Sequence, residues 1–135
     1  MRLVLNPSVL QNELLRRVEE LSGQDVMACY QCGNCSAGCP ASGAMDLLPN
    51  QIVRLLQLGC VEEALHARAI WYCAACLSCE ARCPKGIDVA RLTEALRTLA
   101  LEHGIRHIAI EELPPEVLAE MPQQAFVGGF RKYSA

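Results

Sequence analysis

A twelve-residue pattern occurs twice in this chain. Cys29-Tyr30-Gln31-Cys32-Gly33-Asn34-Cys35-Ser36-Ala37-Gly38-Cys39-Pro40 and Cys73-Ala74-Ala75-Cys76-Leu77-Ser78-Cys79-Glu80-Ala81-Arg82-Cys83-Pro84 both read C-x2-C-x2-C-x3-C-P. Nine of the 135 residues are Cys, and eight of those nine lie in the two runs. Cysteine at this density means a disulfide framework, a metal site or a cluster site. Compartment separates the first from the others. The start, Met1-Arg2-Leu3-Val4-Leu5-Asn6-Pro7, has an apolar run of three residues, short of the roughly 7–15 that a secretory signal needs. The sequence therefore predicts a cytoplasmic protein, in which reducing surroundings favour thiol ligands over bridges. The most apolar stretch, Ala69 to Cys79, reaches about half the roughly 20 residues of a membrane span, so no transmembrane segment is expected.

A 4Fe-4S cube takes four thiolates, so two runs of four predict two 4Fe-4S clusters. Three cysteines at successive three-residue steps sit on one tight loop that wraps a corner of a cube and points backbone N–H groups at its sulfides. The fourth is presented elsewhere. A residue before proline is biased out of helical φ/ψ, and proline has no N–H to donate, so at Cys39-Pro40 and Cys83-Pro84 the chain turns away from its own loop. In two-cluster ferredoxins with this run, the fourth Cys ligates the other cluster. The expected sets are Cys29, Cys32, Cys35 and Cys83 for cluster 1, and Cys73, Cys76, Cys79 and Cys39 for cluster 2. The competing reading is two four-thiolate zinc sites. Structural zinc, however, pairs C-x2–4-C hairpins at a distance, and three cysteines at successive x2 spacing crowd a tetrahedral ion.

Around the runs the pattern is helical. Aromatic content is 4% and β-branched alternation is scarce, which points to an all-α fold. Asn6 as N-cap, Pro7 at the first position, and Leu10, Leu14, Val18 and Leu21 on one face predict a helix from about Pro7 to Leu21. Pro49 opens a second helix carrying Ile52, Leu55 and Leu56 and ending at Gly59. Glu62-Glu63 starts a short third one through Ala64 and Leu65. Asp88 caps a fourth with Val89, Leu92, Leu96 and Leu99 on one face and Gly104 as its stop, and a short fifth runs from Pro114-Pro115 to before Pro122. Gln123 to Ala135, with Gly128-Gly129 and Arg131-Lys132, reads as a tail, either a docking segment or disordered.

The remaining candidates are weaker. Cys60 fits neither run and reads as a small buried apolar residue. His103 and His107 have metal-like spacing, but Gly104 interrupts the helix that would align them, so a capping or solvated role is expected. Tyr30, Trp71 and Tyr72 flank ligand cysteines, where they serve equally as water-excluding bulk around a cluster or as ordinary core. Arg68, Arg82 and Lys85 serve equally as counter-charges to thiolate-bound clusters or as surface residues. With 12 Lys+Arg against 15 Asp+Glu the net charge is -3, and no cationic field exists to hold nucleic acid.

The stretch Cys29-Tyr30-Gln31-Cys32-Gly33-Asn34-Cys35, the linker Pro49 to Gly59, and Ile70-Trp71-Tyr72-Cys73 through Cys83-Pro84-Lys85-Gly86-Ile87-Asp88-Val89 together resemble the C subunit of heterodisulfide reductase, over about Pro7 to Gly104. That resemblance implies an α-helical ferredoxin fold, two 4Fe-4S clusters on the eight cysteines assigned above, and electron relay between a flavin-containing A subunit and a disulfide-reducing B subunit. Chain length points to one domain over residues 1–135, with a core over about 7–121 and a tail over 122–135. Similar cysteine runs occur in iron-sulfur subunits of the glycolate oxidase and anaerobic glycerol-3-phosphate dehydrogenase type; the linker favours heterodisulfide reductase. A free ferredoxin-like carrier is the alternative. In the resembled family the disulfide site carries paired Cys-Cys-Gly motifs, and no Cys-Cys pair exists in this sequence. Nor does a Gly-rich phosphate loop follow a strand. A non-catalytic subunit is therefore expected, with no flavin or nicotinamide site of its own.

Overall fold

Local helix signals decide most of the architecture. The structure, a computed structural model, describes residues 12–133. Among these residues there is no strand, and the α-helices are α1 (Glu13–Ser22), α2 (Asn34–Ala37), α3 (Pro49–Gln57), α4 (Val61–Leu65), α5 (Ala69–Tyr72), α6 (Ser78–Arg82), α7 (Val89–Glu102), α8 (Pro115–Glu120) and α9 (Gln123–Tyr133). The expected all-α class is what the chain adopts. Pro49 and Gly59, the latter at φ +72°, bracket α3, as the proline-in, glycine-out asymmetry requires. Asp88 Oδ1 accepts the N–H groups of Ala90 and Arg91 at 2.8 and 3.2 Å to start α7. Gly104, at φ +74°, stops it. His103 Nδ1 lies 2.8 Å from the Leu99 carbonyl at the helix end, a capping position.

Two expectations are corrected. An extended Asn12 (φ −68°, ψ 124°) interrupts the helix predicted from Pro7 to Leu21. Its Oδ1 accepts the Leu14 N–H at 2.9 Å, so Asn12 is the cap; Asn6, Pro7 and Leu10 lie outside the described residues. The buried face of α1 is Leu15, Val18 and Ser22, while Leu21 is exposed, because α1 lies along α7 with the face one step round from the predicted one. The second correction concerns the C-terminal tail, where helix replaces the disordered alternative and leaves the docking one. Residues 123–133 are helical as α9, which Ala125 enters by donating to the Pro122 carbonyl. Phe126 and Phe130 stack at 6.5 Å, four residues apart on one face. Gly128 and Gly129 lie inside this helix and do not break it.

The core is built by α1, α3, α4, α5 and α7. Val18, Ile52, Leu56, Val61, Ile70, Leu92, Leu96 and Leu99 are essentially inaccessible. Cys60 belongs to this core, and burial pushes its thiol pKa up. His107 stacks on the buried Trp71 at 5.5 Å and meets Tyr72 edge-on at 6.0 Å. Trp71 is thus core, and His103 and His107 do not form a pair. This helical frame leaves both cysteine runs on one side of the core, with α2 packed against α6 and each run followed by a core helix.

Asp46 ties the segment between the runs to that frame. Its two carboxylate oxygens accept the N–H groups of Arg68 and Ala69 at 2.8 and 2.7 Å, closing the N-terminus of α5. Burial pushes this carboxyl up, but the N–H groups of Arg68 and Ala69, with those of Asp46 and Leu47, outweigh it and hold the pKa below the ordinary value of 3.8. A lowered carboxyl pKa gives stability that is present above 3.8 and disappears as pH falls through the lower folded value. Asp46→Asn should cost about 1 kcal/mol at neutral pH. That gap should stay constant from roughly pH 8 to pH 5 and begin to close only below about pH 4, which denaturant unfolding at stepped pH measures.

Candidate metal centres

Each cysteine run is delivered by a short helical turn. Val26–Ala28 leads to Cys29 (φ −73°, ψ 121°), and α5 leads to Cys73 (φ −61°, ψ 115°). After these matched entries the loops repeat a second feature. Residues three and five of each run have positive φ: Gln31 at 62° and Gly33 at 82° in the first, Ala75 at 52° and Leu77 at 61° in the second. Gln31, Ala75 and Leu77 are the non-glycine residues with positive φ among those described, each costing roughly 1–2 kcal/mol. Left-handed residues interleaved this way gather successive N–H groups into a concavity suited to an anionic group. Gln31 shows the consequence, donating to Cys29 Sγ from both its backbone N–H and its side-chain amide at 3.4 Å.

The loops enclose two cavities. One, about 340 Å³ including its open mouth, is lined by Cys29, Cys32, Cys35 and Cys83 together with Asn50, Val53, Ile87 and Val89. The other, about 450 Å³ on the same measure, is lined by Cys39, Cys73, Cys76 and Cys79 together with Met45, Ile52, Leu77, Val89 and Thr93. Three thiols of one run and the fourth of the other thus surround each space. Among the described residues no group of three Cys, His, Asp or Glu side chains is placed to hold a single metal ion. The thiols ring a volume instead, which is what a cube with a ligand at each iron requires. The first turns of α3 and α7 border both cavities, and the positive ends of these helices face a place where thiolates would concentrate negative charge. Ser36 joins the first loop to α3, since its Oγ donates to Asn50 Oδ1 and accepts the Asn50 N–H at 3.0 Å.

The thiols are unequally exposed. Cys32 and Cys76, second in each run, are exposed, while Cys29, Cys35, Cys39, Cys73, Cys79 and Cys83 are half-buried. Burial pushes the Cys35 and Cys79 thiols up, opposed at Cys35 by Ser36 and at Cys79 by the N–H groups of Ala90 and Val89. At Cys76 the Ser78 hydroxyl, 3.4 Å from Sγ, and the Ser78 N–H bring the pKa down. Coordinated iron would deprotonate all of them outright.

The weaker candidates separate. Tyr30, Trp71 and Tyr72 line neither cavity; beside the cysteines the walls are mainly aliphatic, with Asn50 in one and Thr93 in the other. Arg68 and Lys85 are exposed. Arg82 is exposed too, yet its side chain crosses Gly38, where a Cβ would collide with Arg82 Cδ and Nε. Gly38 and Arg82 hold the same place in the two runs, so the absent side chain of one makes room for the other. Sequence reasoning missed Gln57 and Arg97, both buried and both bonded to the carbonyl of a first cysteine. A polar residue on an otherwise apolar helix face was the available signal.

The geometry is that of an all-helical domain built around two four-thiol sites, and residues 25–87 match the family model of a 4Fe-4S dicluster domain. Among curated proteins, the iron-sulfur C subunit of CoB–CoM heterodisulfide reductase from Methanopyrus kandleri is 39% identical over 103 residues, covering 74% of this chain and 54% of the relative. Its counterpart from Methanocaldococcus jannaschii, the second iron-sulfur C subunit of the same reductase, is 30% identical over 111 residues (79% and 59%). The C subunit of the ferredoxin:CoB–CoM heterodisulfide reductase of Methanosarcina acetivorans is 39% identical over 90 residues (67% and 35%). The chain is thus a relative of the iron-sulfur C subunits of heterodisulfide reductase and carries a 4Fe-4S dicluster domain. It spans about half the length of the first curated relatives it matches.

Gly33, at φ +82°, has nothing within 4 Å of where a Cβ would stand, so a side chain there meets backbone strain and no steric clash. Gly33→Ala should lower stability by about 1 kcal/mol. An anaerobic thermal midpoint reduced by roughly 4 °C, with iron content unchanged, is the expected reading.

Proposed function

We propose that this chain relays single electrons through two 4Fe-4S clusters, one held by Cys29, Cys32, Cys35 and Cys83 and the other by Cys73, Cys76, Cys79 and Cys39. In this reading it is a non-catalytic subunit of a cytoplasmic heterodisulfide reductase-type complex, set between a flavin-containing A-type subunit and a B-type subunit that reduces the disulfide. The carrying observation is that each cavity is bordered by three thiols of one run and one of the other. The clusters, when bound, supply one-electron carriers with no proton or atom transfer. The protein's part is to hold the cubes by four thiolates each and to line them with Met45, Ile52, Val53, Ile87 and Val89, which limit water. Low solvent access sets both dielectric and potential.

Exposure of Cys32 and Cys76 supports exchange with a partner at each cavity. Exposed apolar side chains stand beside each, Met27 and Tyr30 near the first run and Tyr72 and Leu77 near the second. No described helix is long and apolar enough to cross a membrane, which is compatible with a cytoplasmic relay. Residues 1–135 are proposed to act as one α-helical ferredoxin-like unit.

Anaerobic preparation should give about eight iron atoms and eight labile sulfides per chain; half of each, or zinc, would overturn the reading. Cys83→Ser should alter the electron paramagnetic resonance (EPR) signal of the cluster on the Cys29 loop and spare the one on the Cys73 loop. The reverse would sink the crossed assignment. Co-expression with A-type and B-type subunits should yield a stable complex, and a chain that stays free under those conditions would favour the independent carrier.

A further inference from the structure

Two buried side chains grip the two cysteine runs at corresponding places. In the first run, Gln57 at the end of α3 donates both hydrogens of its amide, to the Val26 carbonyl at 2.9 Å and the Cys29 carbonyl at 2.8 Å. In the second, Arg97 of α7 donates from Nε to the Ile70 carbonyl at 2.5 Å and from Nη2 to the Cys73 carbonyl at 2.6 Å. Val26 and Ile70 each stand three residues before the first Cys of a run, in the helical turn that delivers it. The four carbonyls therefore correspond two by two. Both clamps are buried, Gln57 at 8% and Arg97 at 2% exposure. One is neutral and the other carries a full positive charge.

Neighbouring charges do not cancel the difference. Arg97 Nη1 pairs with Glu94 at 2.8 Å, but the Glu94 side chain is 59% exposed, so water screens the carboxylate far more than the guanidinium. Asp88 is buried and its charge reaches Cys79 of the same cavity, where it opposes Arg97; two backbone N–H groups take up part of that charge, the exposed Arg91 at 3.5 Å adds little, and Val89, which follows Asp88, borders both cavities. Arg54 reaches Gln57 Oε1 at 3.2 Å but is itself exposed. A buried cation beside one of two like sites favours the extra negative charge of reduction at that site.

We infer that Arg97 is a positioning residue that also orders the two sites electrically. By clamping Ile70 and Cys73 with a charge where the first run has a neutral Gln57, it makes the cluster held by Cys39, Cys73, Cys76 and Cys79 the easier to reduce, so a single electron in this chain rests there. The inference builds on the cluster assignment proposed above.

The test is an anaerobic redox titration of the full chain followed by EPR, with iron and sulfide counted in every variant. Cys39→Ser and Cys83→Ser identify which signal belongs to which cavity. Arg97→Gln removes the charge and keeps an amide donor; it should lower the potential of the Cys39/Cys73 cluster alone and shift the electron's distribution between clusters on the order of tenfold towards the other. Arg97→Lys should retain most of the wild-type order. If Arg97→Gln does not load iron, Glu94→Gln decides: because water screens that carboxylate, its removal should raise the same potential by only a small step and leave the other unmoved. Full iron content with unmoved potentials, or a shift confined to the Cys29 cluster, would overturn the inference alone. A wild-type chain without about eight iron atoms would overturn the cluster assignment and the inference with it.

Discussion

Each cavity takes its fourth thiol from the opposite run, and the rest of the structure is arranged around that crossing. Cys39 follows α2 after Gly38 alone and Cys83 follows α6 directly, so those two short helices must lie against each other for either fourth cysteine to reach the other loop. Their contact leaves little room. Gly38 has no side chain where Arg82 passes over it, and that inequality between otherwise matched positions lets two near-identical segments pack face to face. Substituting bulk on both sides would separate the helices and with them the thiols.

Loops of this kind have few backbone hydrogen bonds of their own, so buried side chains hold them. Gln57 and Arg97 grip the entries to the runs, Ser36 and Asn50 join the first loop to α3, and Asp46 closes α5. Burying an Arg is expensive unless its donors are satisfied. Here Nε, Nη1 and Nη2 each have an acceptor, and no described buried side-chain polar atom lacks a partner. The interior is thus rigid around the cavities, while the exposed surface beside Cys32 and Cys76 stays apolar and open. A relay needs both, because fixed surroundings keep reorganisation small and an exposed corner lets a partner come close.

Left-handed backbone at Gln31, Ala75 and Leu77 stores strain at the cysteine loops and nowhere else among the described residues. Strain of this sort persists only where its surroundings over-determine it. The matched positions in both runs tie it to the shape of the loop. The individual residues differ, since one of the four positions is Gly and three are not.

Much of this was legible in the sequence. Helix ends at Pro49, Gly59, Asp88 and Gly104 were readable because capping and breaking act within a few residues, and the repeated run specified a two-site, all-helical domain for the same local reason. Where interactions at a distance compete, the reading failed. The start of α1 turned on the extended conformation of Asn12, whose side chain also reaches the Gly59 carbonyl, and the buried stripe of α1 turned on where α7 lies. The tail with Gly128-Gly129 gave no helix signal, but helical neighbours and the Phe126–Phe130 pair carry α9 through it. The sequence by itself determined which residues supply the thiols and where the helices between them begin and end, since spacing, proline and glycine act locally. Only the tertiary structure decided that a neutral amide grips one run and a buried guanidinium the other, because those contacts join residues tens of positions apart, which no local pattern records.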